Sequence, residues 1–463
     1  MNNNNLKTSL TLSETITITS MLFGMFFGAG NLIFPVYMGQ MAGSNVWPAI
    51  IGFIITGVGL PLLGVAALGI SKSNGLQELS SKVSKRYGVF FTCALYLTIG
   101  PLFAIPRCAT VPFEAGVVHT VGNSISSTMA LAIFSGIFFI AVLAFSLKPG
   151  KIMTWIGTIL NPLFLCCLAI FVIAAFLSPG ASIAEVQPEA NYQAGAFFNG
   201  FLEGYNTLDA LASLAFGIVV INVIKGLGIE RPEDIATNTI KAGIFSCIMM
   251  GIIYVCITVV GVQSRGFTAT CSNGAEALYV IAGHYFGGIG TFILAATVTF
   301  ACLKTAVGLT TSCAQTFTEV FPKGPSYKAW AIIFTVVAFL IANLGLNAII
   351  QYSIPVLMFL YPLAITLILL ALFGKFYNHD KCVYASVTGF TLVAAFFDLV
   401  GALPTGLFDL INGEAIMKIG GYLPFSQLGM GWIVPALVGL VLGLVLRATK
   451  KTAYQDSSKL TLM

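Results

Sequence analysis

The run Phe27-Gly28-Ala29-Gly30-Asn31, with Pro35 just beyond, lies in the middle of an apolar stretch at residues 15–42. A glycine pair beside an asparagine weakens a helix. The backbone N–H and C=O groups it frees are tolerated in lipid only when buried in protein or facing a watery cavity. At such a break the N–H groups opening one half-helix suit a carboxylate, and the carbonyls closing the other suit a cation. Asn31 adds a neutral oxygen ligand. The competing reading is packing, with glycines allowing close helix contact and Asn31 making an interhelical hydrogen bond.

A second interruption, Glu203-Gly204-Tyr205-Asn206-Thr207-Leu208-Asp209, falls in another apolar run at residues 195–224. Glu203 and Asp209 bracket it. Further along, Thr305-Ala306-Val307-Gly308-Leu309-Thr310-Thr311-Ser312 sets adjacent hydroxyls beside a glycine, the oxygen-rich surrounding that a dehydrated hard cation such as Na⁺ needs. Back-bonding of Thr and Ser to the preceding helical turn is the alternative. Ionisable residues inside the membrane are functional candidates. Arg107 and Glu114, seven residues apart, share one helix face and are candidates for gating. An Arg107–Glu203 pair would close the site, or else serve as a permanent structural ion pair. Lys304, two turns before Thr310 and Thr311, either modulates a cation through its ammonium or snorkels to the interface. Asp398 is expected to pair locally. The three histidines do not cluster, and neither a P-loop nor a dinucleotide fingerprint is present.

These residues need a membrane scaffold. The chain has 463 residues, 57% hydrophobic and only 8% charged, against the roughly 25% charged residues of soluble domains. It is an all-α polytopic membrane protein. Its polar N-terminus lacks a signal-peptide layout, so the first apolar segment is read as a retained span. Segments able to cross about 30 Å of hydrocarbon fall near 15–42, 45–71, 88–118, 129–147, 152–177, 195–224, 240–262, 286–312, 329–345, 347–373, 383–404 and 430–447. With both termini cytoplasmic, 18 of the 22 basic residues, Lys148 and Lys151 among them, fall on the inner side, as the positive-inside rule requires. The net charge of +5 is therefore an inner-loop excess and calls for no nucleic acid. The ten cysteines show no metal-like spacing and serve as small apolar filler. No nucleophile, base and metal constellation points to an enzyme.

The two breaks lie in the first and sixth spans. Five helices separate their starts, so the second enters from the opposite side, as two five-helix halves of inverted topology require. The expected organisation is a cytoplasmic tail (1–14), a first repeat (15–177), a second repeat (195–373), two appended helices (383–447) and a second cytoplasmic tail (448–463).

Phe27 to Pro35, together with Gly100-Pro-Leu-Phe-Ala-Ile-Pro106-Arg107 and Glu203 to Ala210, resembles the bacterial branched-chain amino acid:cation symporters, which are similar in architecture to the LeuT-like superfamily. The resemblance implies twelve transmembrane helices, a 5+5 inverted repeat plus two helices, and Na⁺-driven import of leucine, isoleucine and valine across the bacterial cytoplasmic membrane. It implies that the backbone at Gly28, Ala29, Gly30 and Asn31 holds the substrate carboxylate, that the Asn31 side chain serves a second cation, and that Tyr205, Asn206 and Thr207 meet the substrate. The carbonyls of Gly24, Phe27 and Val307 and the hydroxyls of Thr310 and Thr311 would bind Na⁺. Lys304 has no counterpart in the superfamily relative. The ligands expected are thus an amino acid and Na⁺, within a lipid bilayer. An H⁺-coupled or exchange carrier and a channel are the alternatives. Alanine or leucine at Gly28 or Gly30 is expected to abolish uptake.

Overall fold

The computed structural model describes residues 7–120, 125–147 and 161–460. Lys148, Lys151, the expected opening of the fifth span before residue 161 and the outermost parts of both tails lie outside them. The described residues form helices: α1 (Leu12–Phe26), α2 (Gly30–Ala42), α3 (Val46–Ile54), α4 (Leu60–Ile70), α5 (Lys85–Leu97), α6 (Ala104–Pro112), α7 (Ser127–Leu147) and α8 (Asn161–Leu177). The order continues with α9 (Ala196–Glu203), α10 (Asp209–Gly226), α11 (Pro232–Ser264), α12 (Gly274–Val320), α13 (Tyr327–Ala342), α14 (Leu346–Leu372), α15 (Lys381–Gly401) and α16 (Ile433–Leu460). A π-helical turn, Ile55–Gly59, joins α3 to α4, and another, Thr98–Leu102, precedes α6.

Nine segments among the described residues are long and apolar enough to cross a membrane, where the sequence predicts twelve. The shortfall is one of helix length: Leu12–Phe26, Leu165–Leu177 and Tyr327–Ala342 are shorter apolar helices. The first is short because the glycine break ends it. Conversely, the continuous segment Gly30–Ile70 turns at Gly43, whose φ is +50°, and the 47-residue α12 bends at Gly287, where φ is +60°.

Glycine crossings hold the half-helices. α2 lies against α11, where a Cβ on Gly39 would sit 2.0 Å from the Thr258 carbonyl and one on Gly261 2.1 Å from that of Val36. α9 lies against α3 in the same manner, through Gly52 and Gly200, where a Cβ on either would sit 2.0 Å from an opposing carbonyl. Such approach is how membrane helices gain packing energy without a hydrophobic driving force. Large apolar side chains such as Ile137, Ile140, Ile289 and Phe292 project outward from the bundle, as a lipid-facing surface requires.

Candidate substrate and cation site

The first break spans only Phe27 to Ala29. The Phe27 N–H closes α1 on the Phe23 carbonyl (2.8 Å), and Phe27 then turns extended, with φ −76° and ψ 100°. The freed Gly28 N–H donates to Asn31 Oδ1 at 2.7 Å, so Asn31 caps the break from within α2. Pro35 has no N–H to offer the Asn31 carbonyl four residues back, which leaves a second polar group free in this turn. Neither Gly28 nor Gly30 has a positive φ, and a Cβ on either would make only ordinary contacts, the closest 3.6 Å and 3.4 Å. Alanine therefore fits sterically at both positions, and the glycines leave the backbone open rather than permit a forbidden conformation.

The second break is built differently. α9 ends at Glu203, a 3-10 turn covers Gly204–Thr207, and the helix restarts after Leu208, a left-handed residue with φ +66°. Thr207 steadies the turn, its hydroxyl donating to the Gly204 carbonyl (2.9 Å) and accepting from the Asp209 N–H (3.4 Å). Gly204 serves approach instead, since a Cβ there would lie 1.9 Å from Thr56 Oγ1.

The two breaks meet. A Cβ on Gly30 would lie 3.5 Å from the Thr207 backbone. Asn31 Nδ2 donates to Asp209 Oδ2 at 2.5 Å and also to the Tyr254 hydroxyl, while Tyr254 reaches the same carboxylate oxygen at 3.5 Å. Asp209 is 4% exposed, and no ion pair within 4 Å among the described residues includes it. One amide thus joins the backbone of the first break to a buried carboxylate at the start of α10.

A cavity of about 740 Å³ opens beside this junction, within the 300–1,000 Å³ usual for small-ligand sites. Gly28, Ala29, Gly30, Thr207 and Asp209 line it on one side, Val307 and Thr311 on the other, and Gly24, Arg107 and Lys304 also face it. Asp209 is its one carboxylate among the described lining residues. Phe27, Gly24, Gly28 and Lys304 border a small adjoining void. Thr310 is fully buried and lines neither space, and its hydroxyl has no hydrogen-bond partner among the described residues. Lys304 borders both spaces and makes no ion pair within 4 Å among the described residues.

Arg107 seals the far side. Gly100 breaks the helix before α6 (φ −103°, ψ −125°), so α6 restarts with Arg107 buried and turned toward the second break. Its Nη1 donates to the Asn206 carbonyl (2.8 Å) and its Nη2 to Ser353 Oγ (2.5 Å), while the guanidinium lies 5.3 Å from the centre of the Phe34 ring. This corrects the expectation of a permanent Arg107–Glu203 ion pair, since none within 4 Å joins them among the described residues. The 3-10 turn presents the Asn206 carbonyl to the guanidinium, and Glu203 lines a different cavity. Glu114 lies in the π turn after α6, lining neither space. Tyr205 is buried and stacks on Tyr361 at 4.0 Å, so it walls the barrier and does not face the large cavity; Asn206 also lies outside that lining. Asp398 Oδ2 is buried without a hydrogen-bond partner, so the expected local pairing is not made at that oxygen. Tyr254, Ser353 and Phe34 complete the site around Asn31 and Arg107; in the sequence the first two stand only as lone polar residues in apolar runs.

The sequence model of the family described as "Branched-chain amino acid transport protein" matches residues 11–450. The chain belongs to that family. It is 50% identical to the branched-chain amino acid permease BrnQ of Lactobacillus delbrueckii subsp. lactis, covering 94% of this chain and 96% of that one. It is 40% identical to the branched-chain amino acid permease BraB of Bacillus subtilis, covering 95% and 97%. The named relatives are permeases and carriers, not enzymes. Among solved structures it resembles Mhp1, a nucleobase-cation-symport-1 family transporter, in a closed conformation with bromovinylhydantoin bound (TM-score 0.60, 13% identity, 97% of this chain and 96% of that one). It also resembles the inward-facing conformation of Mhp1 (TM-score 0.62, 12% identity, 96% of each chain). At that identity the likeness is one of fold, and the family member has the LeuT-like helical architecture.

Proposed function

We propose that this chain imports leucine, isoleucine and valine with Na⁺ by alternating access across the cytoplasmic membrane of a bacterium. The observation that carries the reading is the meeting of two helix breaks beside one cavity through Asn31 and Asp209. The substrate carboxylate meets the backbone at Gly28, Ala29 and Gly30, where it competes with Asn31 Oδ1 for the Gly28 N–H, with Thr207 beside it, and apolar walls read the branched tail. Na⁺ takes the carbonyls of Gly24, Phe27 and Val307 with the Thr310 and Thr311 hydroxyls; the unpartnered Thr310 hydroxyl supports that set. Asn31 Oδ1 is within reach of a second cation. Preference among the three amino acids is small, because one methylene is worth about 1–3 kcal/mol in an apolar pocket.

The topology proposed is twelve spans, two inverted repeats of five and two appended helices, with both termini cytoplasmic. The glycine crossings support the repeat. The second half of the first span packs on the seventh span through Gly39 and Gly261, and the second half of the sixth span packs on the second through Gly64 and Gly217, pairs that exchange under the inversion. The large cavity, reaching Met21, Val219 and Gln315, then opens to the cytoplasm.

Uptake of radiolabelled leucine into proteoliposomes, with and without a Na⁺ gradient and with each of the twenty amino acids as competitor, tests this. Gradient-driven uptake competed by isoleucine and valine is expected; leucine uptake that ignores Na⁺ overturns the coupling. One observation favours a second reading, H⁺ coupling: Asp209 is a buried carboxylate on the cavity wall without a cation partner within 4 Å. Uptake driven by a pH gradient in the absence of Na⁺, with Lys304→Thr changing its pH dependence, would select it.

A further inference from the structure

The appended helices reach back to the second break. Between α15 and α16 the chain turns through left-handed residues at Phe425 and Gly429, with φ +66° and +67°. A Cβ on Gly429 would lie 2.8 Å from Leu202 Cδ1, beside the end of α9, and one on Gly431 would lie 3.2 Å from Asp398 Oδ1 of α15. The turn thus delivers Trp432, the residue before α16, to the place where α15 and the break meet.

Three polar side chains are buried there. Tyr205, Asp398 and Trp432 are 2%, 7% and 7% exposed, and Tyr205 Oη, Asp398 Oδ2 and Trp432 Nε1 have no hydrogen-bond partner of good geometry among the described residues. The Trp432 indole faces the Tyr205 hydroxyl, and Asp398 is the one charge among the described residues near enough to act on that hydroxyl. Asp398 itself forms no ion pair within 4 Å among them. An indole N–H only donates, an ionised carboxylate only accepts, and a phenol does both. In the order Trp432, Tyr205, Asp398 the three satisfy one another: the indole N–H donates to Tyr205 Oη, and the Tyr205 O–H donates to Asp398 Oδ2. Folded proteins leave few buried polar groups unpaired, so three with matching chemistry in one place form a relay that a small shift of Tyr205 closes.

We propose that Asp398 is a positioning residue for transport, which together with Trp432 holds the Tyr205 hydroxyl and through it sets the second break. Tyr205 lies in the 3-10 turn Gly204–Thr207. In that turn the Asn206 carbonyl holds Arg107 at 2.8 Å, and Thr207 lines the large cavity. Making or breaking the relay therefore moves the turn that carries both the barrier and the cavity wall. Tyr205, Asp398 and Trp432 all lie outside the described lining of the large cavity, so the relay acts on the rate of the movement and not on substrate binding. The proposal rests on the transporter reading above.

Leucine uptake by the purified full-length protein in proteoliposomes, with kcat and KM resolved at a fixed Na⁺ gradient, tests it. Tyr205→Phe, which removes one oxygen, and Asp398→Leu, which removes the acceptor, should each lower kcat about tenfold with KM within about twofold of wild type. The double variant should be within about twofold of the slower single one, because both changes break the same relay. Asp398→Asn keeps an acceptor oxygen and should retain kcat within about threefold of wild type. A wild-type kcat for Tyr205→Phe overturns the proposal, however the Asp398 variants fold. Losses that multiply to about a hundredfold in the double variant overturn it as well, as do an Asp398→Asn variant as slow as Asp398→Leu and a raised KM at unchanged kcat. Wild-type protein that takes up no leucine overturns the transport reading itself, and the relay with it.

Discussion

The two helix breaks solve one problem in opposite ways. In the first, every residue stays in an ordinary backbone region, and the orphaned Gly28 N–H is satisfied by a side chain three residues on, Asn31. In the second, the turn satisfies itself through Thr207, and Leu208, before the helix restarts, lies in the left-handed region, a conformation that costs a non-glycine residue about 1–3 kcal/mol. The first break therefore depends on its cap and the second on the packing around it. Asn31 has one amide and spends both ends of it: Oδ1 on its own break, Nδ2 on Asp209 of the other. A change in the charge or position of Asp209 is thereby transmitted to the backbone that the substrate carboxylate is proposed to touch.

This contrast orders the consequences of mutation. Gly30→Leu drives a branched side chain against Phe34 and the Thr207 backbone, already 3.4–3.5 Å from a bare Cβ, and should lower leucine uptake at least 100-fold while the protein still inserts and purifies as a monodisperse species. Asp209→Asn removes the charge from hydrogen bonds that two buried donors make to it; at about 1.5–3 kcal/mol for a bond to a charged group, uptake kcat/KM should fall roughly 10- to 150-fold. Arg107→Lys keeps the charge but not the fork that spans the Asn206 carbonyl and Ser353, and should cost about tenfold in uptake rate. Thr310→Ala should raise the Na⁺ concentration for half-maximal uptake about tenfold with little change in maximal rate, and Thr310→Ser should restore it. Gly28→Ala is the mildest. Its Cβ would meet nothing closer than 3.6 Å, so uptake within about threefold of wild type is expected; a complete loss would mean that the added methyl blocks the substrate's approach to that backbone.

Much of the architecture was legible in residue types. The Gly28-Ala29-Gly30-Asn31 break, the second interruption and the buried Thr310 hydroxyl were found because polar or glycine residues stand out in apolar runs, where every unsatisfied group is costly. Partnerships were not legible. Arg107 and Glu203 look like a natural pair by charge, but a 3-10 turn offers the Asn206 carbonyl to the guanidinium and no ion pair within 4 Å forms with Glu203 among the described residues, and nothing in the residue types distinguishes that turn from a simple helix break. The left-handed position in the second break is Leu208, not its glycine, and Gly204 is needed for its approach to Thr56. Tyr254 carries no signal in its own segment; it matters only because α11 crosses α2 at glycines that bring it to Asn31. Tyr205 was assigned to substrate by its place in the break, while its ring is spent on Tyr361.

The central claim is that the two breaks act as one site through the Asn31–Asp209 contact. A double-mutant cycle on leucine uptake, with Asn31→Ser, Asp209→Asn and the double variant in proteoliposomes at a fixed Na⁺ gradient, measures it directly. If the contact couples the breaks, the double variant loses little more kcat/KM than the worse single one, a coupling within the roughly 0.5–3 kcal/mol seen for residues in one network. Losses that simply multiply would contradict the claim and make the breaks two independent features that happen to border the same cavity.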